Sequence, residues 1–337
     1  MPRPSFATPL PQSPRSDILE WRLPRPFHQY VLTGRSRAAW HTSFIIPQLN
    51  LLLDAGLVIN NMRPKHVFLT HGHSDHTLLI PVYAIREDPP DIYCPEQMRR
   101  TLNDYLLART MLNLGGEVDV DDAEAQGLDT ADPAIHVNAD GQRSNSELAW
   151  LNTHACHGLQ PGDEVPLRRL KGSVTARAFA CDHTVPSLGY VFSTSTQRLK
   201  PEYAGRPGQE LKALRESGTP ITATQTTHML AFLGDTTAAT LAADPAWLRE
   251  GVAVVITECS FLYEEHRAQA ERTKHTLWRD LEPVVRRWPK TTFVLTHFSL
   301  RYSEAQIVAF FQDMVDPPSN IVVWADGEAG LDAKPGT

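Results

Sequence analysis

Leu69-Thr70-His71-Gly72-His73-Ser74-Asp75-His76-Thr77 completes the apolar run that begins at Val67-Phe68, and it gathers three imidazoles and a carboxylate within six residues. Imidazole and carboxylate are the ligands that zinc and similar divalent ions favour. In an extended or turning segment, residues two apart point the same way, so His71, His73 and Asp75 can converge. His76 then points elsewhere, which suits a second ion beside the first. A histidine-rich surface loop is the plainer reading for one or two histidines. Four donors at this density, directly behind a strand, read as a metal site.

The chain has 337 residues, 42% of them apolar, which is enough for a sizeable core in one large domain or two. A net charge of −7 and a pI near 6.0 impose no global demand for nucleic acid. Cys94, Cys156, Cys181 and Cys259 are isolated, with no Cys-x-x-Cys pair. That argues against a disulfide framework and for a reducing, cytoplasmic setting. No apolar run is long enough to span a membrane. Residues 1–27 are rich in Pro, Ser and Arg and carry no apolar signal core, so a disordered tail is expected there, with organellar targeting left open.

Residues 28–337 read as one domain. Strands are predicted at Val31-Leu32, Thr42 to Ile46, Leu51 to Leu53, Val67 to Thr70, Val174 to Cys181 and Gly189 to Phe192. More follow at Met229 to Leu233, Val252 to Thr257, Thr292 to Thr296 and Ile321 to Trp324, with helical spacing over 95–114 and helical segments within 262–289 and 303–313. Residues 117–147 are acidic and poor in large apolar side chains, so they read as an insertion or mobile loop. Residues 194–220 carry Arg198, Lys200, Arg206, Lys212 and Arg215 among Glu202, Glu210 and Glu216, and read as a short exposed arm or simply a solvated face. Alternating strands and helices without a dividing linker indicate an α/β domain.

Several polar residues stand at strand exits: His71, His183 after Cys181, Asp235 after Gly234, Glu258 after Thr257, and His297 after Thr296. Sites in α/β sheets gather at one end of the strands, so these five are expected to share one. Asp54 reads as a turn carboxylate that could orient a ligand histidine. His154 and His157 read as solvent-exposed, and His228 as structural.

With these residues in view, the chain resembles the metallo-β-lactamase superfamily and, within it, the ribonuclease Z group of tRNA 3′-processing endonucleases. The likeness is carried by His71-x-His73-x-Asp75-His76, His183 with Gly189-Tyr190, Phe232-Leu233-Gly234-Asp235-Thr236, Glu258-Cys-Ser-Phe261, Lys274-His275-Thr276 and Thr296-His297-Phe-Ser-Leu-Arg301-Tyr302. It implies a four-layer αββα sandwich and two divalent ions, most simply Zn2+. His71, His73 and His183 would hold one ion and Asp75, His76 and His297 the other, with Asp235 bridging. A hydroxide between the ions would attack phosphorus. Asp75 would orient it, and His275, aimed by Glu258, would protonate the leaving oxygen.

The implied partner is a tRNA precursor, with a homodimer presenting the arm. The alternative is a small-molecule hydrolase of cyclic phosphodiesters, thioesters or lactones on the same centre. No membrane is implied. A cysteine ligand in place of Asp235 would point to a lactamase instead. Which residues bind the substrate is not legible from the sequence.

Overall fold

Leu51-Leu52-Leu53, Val67-Phe68, Val254-Val255-Ile256 and Phe293-Val294-Leu295 are apolar at every position, the pattern of parallel strands covered on both faces. The computed structural model describes residues 6–84, 89–113, 155–168, 170 and 173–327. In it these runs are neighbouring strands of two sheets.

The first sheet runs in sequence order: β1 (Leu10–Pro11), β2 (Leu19–Arg22), β3 (Val31–Arg37), β4 (His41–Ile46), β5 (Leu51–Leu53), β6 (His66–Phe68), β7 (Asp91–Pro95) and β8 (Ala155–Leu159). Its pairs are antiparallel up to β5 and parallel from there. The second sheet holds β9 (Glu164–Pro166), β10 (Ser173–Cys181), β11 (Ser187–Leu199), β12 (Thr222–Phe232), β13 (Val252–Glu258), β14 (Thr292–Thr296) and β15 (Ile321–Val323). It is antiparallel up to β12 and parallel beyond.

Period-two alternation divides the side chains between layers. Leu51, Leu53, Phe68, Tyr190, Phe232, Ile256 and Val294 pack into one core between the sheets, where Phe68 meets Tyr190 edge-on at 5.0 Å. Leu52, Val67 and Leu69 face the other way, under helices Ile80–Ala84 and Glu96–Asn113. Val255, Phe293 and Leu295 lie under helices Trp278–Arg287 and Glu304–Gln312. The order of layers is therefore helix, sheet, sheet, helix, the expected αββα sandwich. No helix among the described residues is long and apolar enough to cross a membrane.

The disordered tail expected over 1–27 is corrected for residues 6–27. β1 and β2 extend the first sheet, and Phe6, Leu19, Leu23 and Phe27 are buried. Leu19, Leu23 and Phe27 join the inter-sheet core, and Phe6 packs against Phe311 in the outer layer. The insertion expected at 117–147 lies outside the described residues.

Residues 194–220 do project. β11 and β12 pair out to Leu199 and Thr222, and helix Gly208–Glu216 with its exposed side chains sits between them. β12 ends at Phe232, beside the strand exits, so Thr222 lies on the order of 30 Å away at about 3.3 Å per residue. The arm leaves from the far end of the sheet and does not cover the strand exits.

Candidate metal centre

β6 delivers Leu69 and Thr70 to the seam where the sheets meet. The Tyr190 hydroxyl donates to the Leu69 carbonyl at 2.7 Å, and the Leu188 amide donates to the Thr70 carbonyl at 2.9 Å. The chain then turns through His71-Gly72-His73 into the short helix Ser74–Thr77, which carries Asp75 and His76. Gly56 makes this approach possible, since a side chain there would put its Cβ 1.8 Å from the Asp75 carbonyl oxygen. The exits of β5, β12 and β14 turn through left-handed backbone at Asp54 (φ 55°), Gly234 (60°) and His297 (59°). Such conformations are costly for Asp and His, and they concentrate where a site fixes its side chains.

Every expected donor arrives in one cluster. His73 Nδ1 lies 3.1 Å from His71 Nε2 and 3.3 Å from His183 Nε2. Asp235 Oδ2 is 3.7 Å from His71 Nε2 and 3.9 Å from His183 Nε2. On the other side, His76 Nε2 and His297 Nε2 are 3.3 Å apart, and each is 3.3 Å from Asp235 Oδ1. Asp75 Oδ2 stands 3.3 Å from His297 Nε2 and 3.7 Å from His76 Nε2. The two Asp235 oxygens thus face two separate donor groups.

The arrangement fits two divalent ions. Tetrahedral ligands at about 2.0–2.1 Å from zinc sit roughly 3.3 Å from one another, close to the spacings found. Four of the histidines also have their second nitrogen engaged elsewhere, which leaves the inward lone pairs free. His76 Nδ1 donates to Asp54 Oδ2 at 2.7 Å, and His183 Nδ1 donates to the Lys274 carbonyl at 3.1 Å. His71 Nδ1 meets Thr70 Oγ1 at 3.0 Å, and His297 Nδ1 meets Ser260 Oγ at 3.1 Å. Asp235 Oδ1 is buried without a hydrogen-bond donor among the described residues.

Electrostatics agree with that fit. Burial lowers the pKa of His71, His73 and His183, so these imidazoles are neutral, as ligands must be. Burial would also raise Asp235, but the His297 and His76 charges outweigh it and hold the carboxyl well below its usual range. Asp75 is likewise low: burial opposes this, and the His297 hydrogen bond and the His76 charge prevail. His76, against its own burial, is raised well above the ordinary value by Asp235 and Asp54. These buried carboxylates demand a positive charge between them, which either a proton or a cation supplies.

Beside the donors, His275 and Glu258 meet. Glu258 is fully buried, and its Oε1 accepts from His275 Nδ1 at 2.8 Å and from the Thr236 amide at 2.7 Å. Its Oε2 accepts from Ser260 Oγ at 2.6 Å and the Thr276 amide at 3.1 Å. One carboxylate therefore ties together the loops that carry Asp235, His275 and His297. The helical segments expected over 262–289 include helices Arg267–Thr273 and Trp278–Arg287. His275 lies in the break, after Lys274 at φ 51°.

The metallo-beta-lactamase superfamily domain matches residues 47–142. A nuclear ribonuclease Z of Triticum aestivum is 32% identical over 203 residues, spanning 58% of this chain and 94% of that protein. The chain belongs to the ribonuclease Z family. A tRNase Z of Arabidopsis thaliana, TRZ2, described as chloroplastic, is 28% identical over 290 residues, covering 82% of this chain and 70% of that one. The crystal structure of the short form of human tRNase Z aligns over 96% of this chain and 95% of its own, at 15% identity and a TM-score of 0.41.

Within this ribonuclease Z scaffold, Asp54 has more to do than a turn carboxylate. It is fully buried and accepts from the Thr70 amide at 2.8 Å, from Thr70 Oγ1 and from His76 Nδ1. Asp54 orienting a histidine was an expectation, whereas Ser260, the Lys274 carbonyl and the Ala39 amide, which donates to Asp75 Oδ2 at 2.9 Å, were not anticipated. Their partners lie far away in sequence, and no local pattern announces them. His157 is exposed on β8 and His228 is held by Ser193 and Glu250, both away from the cluster, while His154 lies outside the described residues.

Asp54→Asn keeps the shape but removes the charge that holds the His76 tautomer. Its expected result is a roughly 10–100-fold loss of metal affinity, the usual cost of losing such an outer partner, measured by competition with a chromogenic chelator.

Proposed function

We propose that this chain is a zinc-dependent ribonuclease Z-type phosphodiesterase that cuts the 3′ trailer from tRNA precursors. The observation that carries this reading is the His275–Glu258 pair set against the donor cluster. His275 Nδ1 is 2.8 Å from Glu258 and 3.9 Å from Asp235 Oδ2, so its other nitrogen is free to serve a leaving group. Hydrolysis of a thioester or lactone has less need of such an acid. An RNA 3′-oxygen, a poor leaving group, needs a proton as its bond to phosphorus breaks.

His71, His73 and His183 would hold one zinc ion and Asp75, His76 and His297 the other, with Asp235 shared. When bound, the pair supplies Lewis-acid polarisation of a phosphoryl oxygen and a water acidified to near neutrality. Asp75 accepts a hydrogen bond from the incoming water and sets its direction. His275 gives its proton to the departing 3′-oxygen, and Glu258 keeps the ring protonated and aimed.

The projecting arm, with Arg198, Lys200, Arg206, Lys212 and Arg215, leaves the cleft open and suits a long substrate. Its tip is on the order of 30 Å from the centre. A homodimer in which one copy's arm grips an RNA cut in the other copy is part of this proposal, as is residence in a reducing compartment such as the cytoplasm.

The test incubates metal-replete protein with a tRNA precursor and with bis(p-nitrophenyl) phosphate, each with and without chelator. Cleavage of both, abolished by chelator, is expected. Cleavage of neither sinks the proposal, and cleavage of the small ester alone favours a small phosphodiester as substrate.

A further inference from the structure

The turn between β3 and β4, Ala38-Ala39-Trp40, lies against the candidate centre and carries the one tryptophan among the described residues that is largely exposed, at 60%. Two amides tether it there. Ala39 N donates to Asp75 Oδ2 at 2.9 Å, and Ala38 N donates to the Phe298 carbonyl, next to His297, at 3.2 Å. Ala39 is left-handed, at φ 57° without a glycine, so the turn is held in a conformation it would not choose alone.

The strand behind the turn is anchored as well. Arg37 donates to the Phe298, Ser299 and Tyr302 carbonyls, and Arg35 and Arg37 both pair with Glu304 at 2.9 and 2.7 Å. An exposed indole on a fixed mount at the lip of a cleft is a preorganised contact surface.

A second, independent observation sits beneath it. The Trp40 ring rests on His41 with centroids 4.3 Å apart, and His41 is only 7% exposed. His41 Nε2 is buried with no hydrogen-bond partner among the described residues. A buried ring nitrogen left unsatisfied costs free energy unless something supplies its partner. Here it adjoins a flat aromatic face. An exposed aromatic face of this kind is how proteins take hold of an unpaired nucleobase, by stacking.

We propose that Trp40, backed by His41, is a stacking platform for the nucleobase that adjoins the scissile phosphodiester. This rests on the phosphodiesterase reading above and adds to it a residue that contacts the substrate. The Ala39 amide is bound to Asp75, so the turn that carries the indole is fixed beside the donor cluster, where the scissile phosphate would lie. Stacking tolerates any base, so the platform positions the strand without choosing its sequence.

The experiment compares wild type, Trp40→Ala and Trp40→Phe on a tRNA precursor and on the same RNA with an abasic nucleotide on either side of the cut. RNA binding is measured separately in chelator-treated protein. Trp40→Ala is expected to raise KM and the dissociation constant roughly 5- to 150-fold, the worth of one base–aromatic stack. Trp40→Phe restores most of that loss. The abasic RNA costs wild type a similar factor and costs Trp40→Ala no more.

An unchanged KM in Trp40→Ala overturns the platform. So does a KM change that tracks a shift in oligomeric state by size exclusion, which would make Trp40 a contact between copies. Equal losses on intact and abasic RNA together with lost metal would make its role structural and likewise overturn the platform. If RNA is bound in a Trp40-dependent way but never cut, the stacking stands and the hydrolytic reading falls. Neither binding nor cutting would end both.

Discussion

Asp235→Ala is expected to abolish hydrolysis and to strip the protein of most of its bound metal. Among the described residues no other donor faces both halves of the cluster: one Asp235 oxygen is 3.3 Å from His76 and His297, and the other is 3.7 and 3.9 Å from His71 and His183. Without it, four inward-facing imidazoles lose the buried negative charge that offsets bound cations. The fall in kcat/KM should exceed the roughly 10–100-fold that follows loss of an outer partner. Asp235→Asn keeps the volume and loses the charge, so it should fail nearly as badly. Elemental analysis of the purified variants and their kcat/KM on bis(p-nitrophenyl) phosphate decide the matter. Full metal content with activity within a few-fold of wild type would remove Asp235 from its proposed bridging place.

His275→Ala separates the acid from the metal chemistry. On a tRNA precursor, kcat is expected to fall by about 10²–10⁴-fold, the range for losing a positioned general acid. On bis(p-nitrophenyl) phosphate, whose leaving phenolate departs without a proton, the loss should be far smaller, and metal content should hold. Near wild-type kcat on RNA would refute the assignment.

The pH dependence has a definite sign. Burial opposes a charge on His275, but the Glu258 carboxylate outweighs it and pushes the pKa up to about 9. A raised pKa means that the proton is held throughout the neutral range and lost as pH rises through that value. The alkaline limb of kcat on RNA should therefore fall at or below about 9, because cations in the neighbouring site repel an imidazolium. Glu258→Gln should move that limb to lower pH.

The parts of the fold legible in the sequence were those with two buried faces. Leu51-Leu52-Leu53 and Val254-Val255-Ile256 read as strands because every residue packs against one core or another. The opening strands escaped notice because short strands near the end of a sheet need few apolar positions. In Leu19-Glu20-Trp21-Arg22 only Leu19 is buried, and the pairing with Val31–Gly34 does the rest. The ribbon of the arm is polar on both faces, so its alternation carried no hydrophobic signal.

The donors themselves were visible as polar residues at strand exits. What sets their tautomers was visible only as the suggestion that Asp54 orients a histidine, without its partner, because those contacts are long-range: Asp54 is 22 positions from His76, and Lys274 is 91 from His183. Only folding brings those partners together.

The division of donors between the two sheets has a consequence for biosynthesis. Four of them, His71, His73, Asp75 and His76, leave the ribosome early, while His183, Asp235 and His297 come later and from the other sheet. Chains emerge and fold from the N-terminus, so a nascent chain passes through a long interval with half a site and no means of closing it. A cation caught in that interval has too few ligands to be retained. On the proposed ligand assignment, firm retention waits until residue 297 has been made and the sheets have docked, and a chain arrested earlier would be unable to keep its metals.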